Sequence, residues 1–451
     1  MANDSDFTID ITLDPKDLEE LFEPFDPWRH EAHMPSGPAP DLERTDVPHD
    51  PTDWGYLYSL IDGFMGDVID RYFRAKLVGH EKIPDEGPLI LAPNHSGNAF
   101  PHDAIVLDAA LWRASGYTKA GKFRSVYTPQ LAATWWMRPY DLDNWWRRGG
   151  GVDMTFTNYD KLLARGDRVI YYPEGVPGIG KGFTRRYQLQ HFHSSFVVLA
   201  AKHDAPVYPV SVVNAEWVNP TSVTFETLDR IVQKVLGIPF LPLPIAPLAL
   251  LFPFIFYLAF PCQMTFVVQK PVNVRQMLRE EGCEDVTAPS RDTVLRVARR
   301  IQERSQQHLD EAVDTYGDKP YDWEGLRREM NKVKGRRLRT TPLGWPISFV
   351  THERDRERPA ARSWLHKILR DLDIAAWYMP FGWFLIALIR KLRKPPYGYR
   401  GLSKKEKRRR QGSYRWSLED RPLPPRPATG ITPKEHPASD DGVDRSDSTA
   451  T

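Results

Sequence analysis

Cysteine is almost missing from this chain. Cys262 and Cys283 are its only two in 451 residues, too few for a multi-bridge disulfide framework, so a reducing cytosolic setting is the expectation. A long uninterrupted apolar run is missing too: no stretch reaches the ~20 residues that a membrane-spanning helix needs. The opening MANDSDFTIDITLDP has neither the basic start nor the apolar centre of a secretory signal. Net charge is nearly absent. A formal +2 excludes whole-chain attraction to nucleic acid and confines electrostatic targeting to local patches.

What is present is apolar and aromatic. Hydrophobic residues at 41% allow a sizeable core, and 14 tryptophans are many for a soluble enzyme. Residues 1–53 are acidic, rich in Pro and Asp and without apolar periodicity, which predicts a disordered segment with one short amphipathic helix near Leu18 to Phe22. A helix is expected from about Trp54, with Tyr58, Ile61, Phe64, Val68 and Tyr72 at helical spacing. Residues 76–90 read as strand, turn and strand, and Leu89 to Leu91 runs into the loop APNHSG. A helix over Ala104 to Trp112, a strand over Arg168 to Tyr172, a helix over Phe196 to His203 and a strand over Val207 to Val213 come next along the chain. This alternation predicts a single α/β domain over 54–315, then a helical extension over 316–400. Residues 401–451 open on the basic run KKEKRRR and read as a disordered polar tail.

Two apolar stretches break the pattern. Residues 236–261, LGIPFLPLPIAPLALLFPFIFYLAFP, carry five prolines before the last; each removes a backbone donor, so an interfacial hairpin is expected rather than a straight span. Residues 374–394 combine IAAWYMPFGWFLIALI with Arg390, Lys391, Arg393 and Lys394, the composition of an element lying in a membrane interface. A peripheral or monotopic place on the cytoplasmic membrane face is therefore expected, with core packing as the alternative. The pairs Trp135-Trp136 and Trp145-Trp146 suit either a bilayer boundary or interior packing.

The chemistry concentrates in Pro93-Asn94-His95-Ser96-Gly97-Asn98-Ala99-Phe100-Pro101-His102-Asp103. Removing a proton from an alcohol needs a base active near neutral pH, and an imidazole is one. It needs a carboxylate to hold its tautomer and stabilise the imidazolium. His95 at a strand end and Asp103 at a helix start supply that pair. His102 is the alternative base, although neighbouring residues point away from each other.

PNHSG followed by an aspartate resembles the first block of the glycerolipid (lysophosphatidic-acid type) acyltransferases. KFRSVYTP at 122–129 with RRGGGVDMTFTN at 147–158, VIYYPEGVPGIGKG at 169–182 and APVYPVSVVNA at 205–215 resemble the later blocks, in family order. The resemblance covers about 75–280. It implies a mixed central sheet flanked by helices and the transfer of a fatty acyl group from acyl-CoA or an acyl-carrier protein to a glycerolipid hydroxyl. It also implies no cofactor beyond that co-substrate. By this resemblance His95 is the base, Asp103 orients it, and Glu174 and Gly175 position the acceptor. Backbone amides near Gly97 or Gly175 steady the oxyanion. The chain departs from the pattern twice. Seven residues rather than four separate His95 from Asp103, and Val176-Pro177-Gly178 stands where many members place Thr-Arg-Ser. Lys181, Arg185, Arg186 and Arg148 are the replacement cations for an acceptor phosphate. The implied partners are a membrane lipid surface and the acyl thioester.

Two rival readings remain open. Gly175 to Lys181 matches G-x-x-x-x-G-K of a phosphate-cradling loop, but Gly182 stands where a Ser or Thr should reach magnesium. A non-catalytic lipid-binding protein on the same fold is the other, supported by the longer His-to-Asp loop. His191-Phe192-His193 lacks a third ligand at zinc-site spacing.

Overall fold

Leu89–Pro93 and Val207–Val213 are buried at every position rather than at alternate ones, the pattern of strands covered on both faces. They are adjacent central strands of a seven-stranded sheet in the computed structural model. That structure describes residues 57–97, 100–116, 123–127, 136–140, 142, 145, 149–154, 156–223, 243, 245–333, 337–357 and 364–392. The strands are β1 (Lys76–Val78), β2 (Leu89–Pro93), β3 (Phe123–Tyr127), β4 (Val152–Asp153), β5 (Arg168–Ile170), β6 (Val207–Val213) and β7 (Thr265–Val268). Their order is β1-β7-β6-β2-β5-β3-β4. β2 to β6 are mutually parallel, β7 is antiparallel to β6, and β1 is parallel to β7. The sheet is mixed and flanked by helices, as the sequence led us to expect.

Successive side chains of a strand face opposite ways, and here they feed two cores. Leu89 and Leu91 join Val210, Val212 and Phe266 on one face; Ile90 and Ala92 join Val169, Tyr171 and Val207 on the other. The first face is covered by a helical segment from Leu57 to Tyr72, which is π-wound over Ser59–Met65 and Val68–Tyr72, and by α1 (His102–Ala114). Arg113 of α1 ties the two together, donating to Asp62 at 2.8 Å and Asp70 at 2.7 Å. The second face is covered by α2 (Phe156–Ala164) and α3 (Ser195–His203).

Four further helices complete the domain around the sheet. α4 (Ile245–Leu251) precedes β7, and α5 (Val274–Glu280) and α6 (Arg291–Tyr316) pack on the second face. α6 starts at Ser290, whose Oγ accepts from Thr293 N–H at 3.3 Å. Its far end meets the sheet again through Leu309 and Ala312 against Val213. α7 (Trp323–Asn331) is joined to the first helical segment by Arg71 and Glu329 at 3.1 Å.

The apolar stretches pack on each other. α8 (Trp345–Glu357) joins the first core, α9 (Trp364–Asp371) packs on a 3₁₀ segment over Leu372–Tyr378, and that segment and α10 (Gly382–Leu392) join the first core too, with α10 meeting α4. Phe254 stacks on Tyr378 with centroids 4.9 Å apart, and Trp383 Nε1 donates to the Ala249 carbonyl at 2.7 Å. Among the described residues no helix is long and apolar enough to cross a membrane. Trp136 packs between Phe256 and Trp383, and Trp145 is buried against Phe349, so both serve interior packing. Trp135, Trp146, Arg148, the helix expected near residue 18 and the two segments expected to be disordered (1–53 and 401–451) lie outside the described residues.

Candidate active site

Parallel strands place their C-terminal ends along one edge, and ligands of open α/β sheets collect there. β2 ends at Asn94. Its side chain is buried, accepting from Val212 N–H at 2.6 Å and donating to the Val212 carbonyl at 3.2 Å, which pins the end of β2 to β6. His95 is the next residue, and it leaves the sheet from a fixed point.

The chain after His95 returns to it at Asp103. Gly97 takes a φ of +131°, and a Cβ there would meet the Phe100 carbonyl at 2.8 Å, so the turn requires glycine. The added length carries Phe100 into an aromatic cluster with Phe256, Tyr257 and Trp345. Asp103 then returns in the first turn of α1, where the helix dipole favours a carboxylate. His95 Nδ1–H donates to Asp103 Oδ2 at 2.8 Å, and Ser96 N–H donates to the same oxygen at 2.8 Å. Asp103 is fully buried while the His95 side chain keeps 13% of its surface. With Nδ1 protonated by this bond, the lone pair lies on Nε2, which has no protein partner among the described residues.

A second carboxylate holds the loop from beneath. Glu174, in the turn after β5, is fully buried; its Oε1 accepts from His95 N–H at 2.8 Å and its Oε2 from Gln190 N–H at 2.6 Å. Burial pushes its carboxyl up from the ordinary value, and the Lys181 charge and the two amide donors oppose this. Both Glu174 carboxylate oxygens are thus engaged by backbone amides of this chain, where the sequence led us to expect a group that positions the acceptor. Gly178 fits between the two, for a Cβ there would lie 2.7 Å from Glu174 Cβ and 2.9 Å from His95 Cβ. The Tyr172 ring covers the imidazole at 4.2 Å between centroids.

Several expected residues fall elsewhere. His102 is no alternative base: it is fully buried beside Phe73, Phe100 and Trp345, and burial lowers its pKa to about 4. Lys181 is no surface cation. Its ammonium is buried, 3.1 Å from Glu216 Oε1 and donating to the Gln188 carbonyl at 3.3 Å. Burial alone would lower its pKa, but the Glu216 and Glu174 carboxylates hold it above the usual value. A lysine so committed cannot reach a nucleotide phosphate, which removes the support for the phosphate-cradling reading. Gly175 N–H already donates to the Tyr172 carbonyl at 3.0 Å, so it is not a free oxyanion donor. Arg185 and Arg186 are exposed, and the Arg186 guanidinium lies over Phe183 at 4.9 Å. Among the described residues no group of His, Cys, Asp and Glu gathers as a metal site.

Sequence reasoning passed over Asn94, Tyr172, Gly178 and the clamp on the 187–193 loop. Gln302 Oε1 of α6 accepts from Phe192 N–H at 3.1 Å, and Gln306 Oε1 accepts from Leu189 N–H at 2.9 Å. These bonds fix the loop that carries Gln190. Glutamines on a long helix give no signal of this in the sequence, because their partners are backbone groups far along the chain.

The sheet edge thus presents a histidine held by a buried aspartate, an arrangement that suits acid–base chemistry. Residues 74–213 match the acyltransferase family model, and this part of the chain is an acyltransferase-family domain. An uncharacterised protein of Mycobacterium tuberculosis is 31% identical over 180 residues, 40% of this chain and 47% of that protein. One from Mycobacterium leprae is 28% identical over 196 residues, 42% of this chain and 49% of that protein. The chain thus spans about half the length of the curated relatives it matches. Among solved structures, the 1-acyl-sn-glycerophosphate (LPA) acyltransferase PlsC from Thermotoga maritima aligns with 15% identity and a TM-score of 0.32. That alignment covers 65% of this chain and 87% of that one.

Proposed function

We propose that the chain transfers a fatty acyl group from an acyl thioester to a hydroxyl of a glycerolipid, at a membrane surface. The observation that carries this is the 2.8 Å His95–Asp103 pair with Nε2 left open at the sheet edge, inside an acyltransferase-family domain. His95 Nε2 takes the proton of the acceptor hydroxyl as its oxygen attacks the thioester carbonyl carbon. Asp103 stabilises the imidazolium that forms. The tetrahedral intermediate bears an oxyanion, and the Gly97 amide, two residues beyond His95 and donating to nothing among the described residues, is the donor that receives it. Collapse breaks the carbon–sulfur bond, and the leaving thiolate takes the proton from His95. An ester and a free thiol result, with no covalent acyl-enzyme. The long His-to-Asp loop was the best support for a non-catalytic protein, and its closure on a short hydrogen bond withdraws that support.

The acceptor is tested directly. Purified full chain is given an acyl-CoA or an acyl-carrier-protein thioester with glycerol-3-phosphate, lysophosphatidate, diacylglycerol or a glycolipid alcohol, and the products are profiled. A new ester from one acceptor, absent with His95→Ala, supports the reading. Free fatty acid alone, or no turnover with any pair, refutes it. Arg185 is an exposed cation proposed for an acceptor phosphate; Arg185→Ala would raise KM for phosphate-bearing acceptors and leave diacylglycerol unaffected.

A further inference from the structure

α10 is apolar on both sides, but only one side is covered. Gly382 and Ile386 are buried, whereas Phe381, Phe384, Leu388 and Leu392 are 60%, 76%, 50% and 74% exposed. Their spacing of three and four residues puts them on one stripe. The stripe continues onto α4, because Phe381 N–H donates to the Leu251 carbonyl at 2.6 Å and the neighbouring Leu250 is 68% exposed. Phe381 also holds a φ of +55°, a left-handed conformation that bulky residues rarely adopt, at the start of this exposed stripe. A soluble protein seldom leaves so continuous an apolar surface uncovered without a partner for it.

The charges beside the stripe select that partner. Arg390 and Lys391 end α10 and are exposed. From residue 390 to 410 the sequence carries eleven Lys or Arg and one Glu, in a chain whose overall formal charge is only +2. Two copies of this chain meeting through the stripe would bring two such runs together. An anionic lipid surface instead meets both the apolar residues and the cations. We infer that the α4–α10 stripe, led by Leu250, Phe384 and Leu388, docks the protein on an anionic membrane, with Arg390 and Lys391 against the headgroups. A run of aromatic contacts links the catalytic loop to α10: Phe100, between His95 and Asp103, packs on Phe256 at 5.5 Å, Phe256 on Trp136 at 5.7 Å, and Trp136 on Trp383 of α10 at 5.7 Å. Docking through this face would set the His95 edge near the pool of a lipid acceptor, which rests on the function proposed above.

The test is flotation of the full chain with phosphatidylcholine vesicles, with and without phosphatidylglycerol, in the absence of substrate. The parent and His95→Ala should both float, more with phosphatidylglycerol. The triple variant Leu250→Asp/Phe384→Asp/Leu388→Asp should lose at least about tenfold in binding with an unchanged melting temperature, since all three side chains are exposed. Arg390→Glu/Lys391→Glu should lose roughly tenfold on anionic vesicles only. A parent that stays in solution with both vesicles, or a triple variant that floats like the parent, overturns the docking face. So does a parent that is a dimer in solution and is split by the triple substitution. Transfer to a detergent-dispersed acceptor is measured separately. Transfer without flotation overturns only the docking face, and flotation without transfer overturns only the enzymatic reading.

Discussion

Replacing Asp103 with asparagine removes one charge and almost no volume, so its effects report on the carboxylate alone. Oδ2 accepts two hydrogen bonds, from His95 Nδ1–H and Ser96 N–H, both at 2.8 Å, while Oδ1 is buried without a partner among the described residues. Asparagine can keep its oxygen in the first position, which strands an NH₂ in the second. It can also turn over, which sets an NH₂ against the Ser96 amide and forces the imidazole to carry its proton on Nε2. The first arrangement keeps the tautomer and loses the counter-charge of the imidazolium; the second loses both. A buried carboxylate in this role is worth about 10²–10⁴ in kcat, or roughly 3–5 kcal/mol of barrier. The stranded amide costs about 1–3 kcal/mol of stability. Thiol release from the acyl thioester with saturating acceptor reads kcat, and a thermal melt reads the fold. The expected result is a kcat reduced by about 10²-fold or more, with KM for the thioester within about threefold. A folded Asp103→Asn protein whose kcat lies within about threefold of the parent would refute the assignment.

Three other substitutions test the surroundings of the pair. His102→Phe should retain activity and lose a pH dependence. With a folded pKa of about 4 against 6.5 unfolded, His102 stays neutral while the unfolded chain takes up a proton, so stability falls as pH drops through that window. The loss is about 2 kcal/mol by pH 5, read as melting temperature against pH. Gly178→Ala must push Glu174 and His95 apart and should cost about 1–3 kcal/mol of stability and at least about tenfold in kcat. Lys181→Met leaves Glu216 charged and buried, so a loss of about 3–5 kcal/mol is expected in denaturant unfolding, with most of it recovered in Lys181→Met/Glu216→Leu.

The sheet was legible where its strands were long enough to be uniformly apolar. Val207 to Val213 is the expected strand residue for residue, and Leu89 to Leu91 lies within β2. Arg168 to Tyr172 stops at Ile170 as a strand, but Tyr171 N–H still donates to the Leu91 carbonyl at 2.9 Å, so only the last residue leaves the sheet. β4 is two residues long and carries no periodic signal; it exists because β3 offers it an edge. α6 could have been read, since Val294, Val297, Ala298, Ile301 and Leu309 recur at helical spacing behind a serine cap. His95 and Asp103 were legible as a pair, but the loop that closes between them was not, because it depends on Phe100 finding Phe256, Tyr257 and Trp345 across the fold. Glu174 and Lys181 were recognised by type, but their buried partners were not legible. A carboxylate and an ammonium near a site read as ligand contacts in one dimension; only packing shows that they hold the chain itself.

The most direct measurement is the turnover of His95→Ala beside the parent, on the acceptor that gives ester product, with melting temperatures taken on both. The imidazole lies at the open sheet edge and, among the described residues, its one side-chain hydrogen bond is to Asp103, so the variant should fold while thiol release and ester formation fall together by about 10³-fold or more. A folded His95→Ala protein that forms ester at a rate near that of the parent would contradict the account.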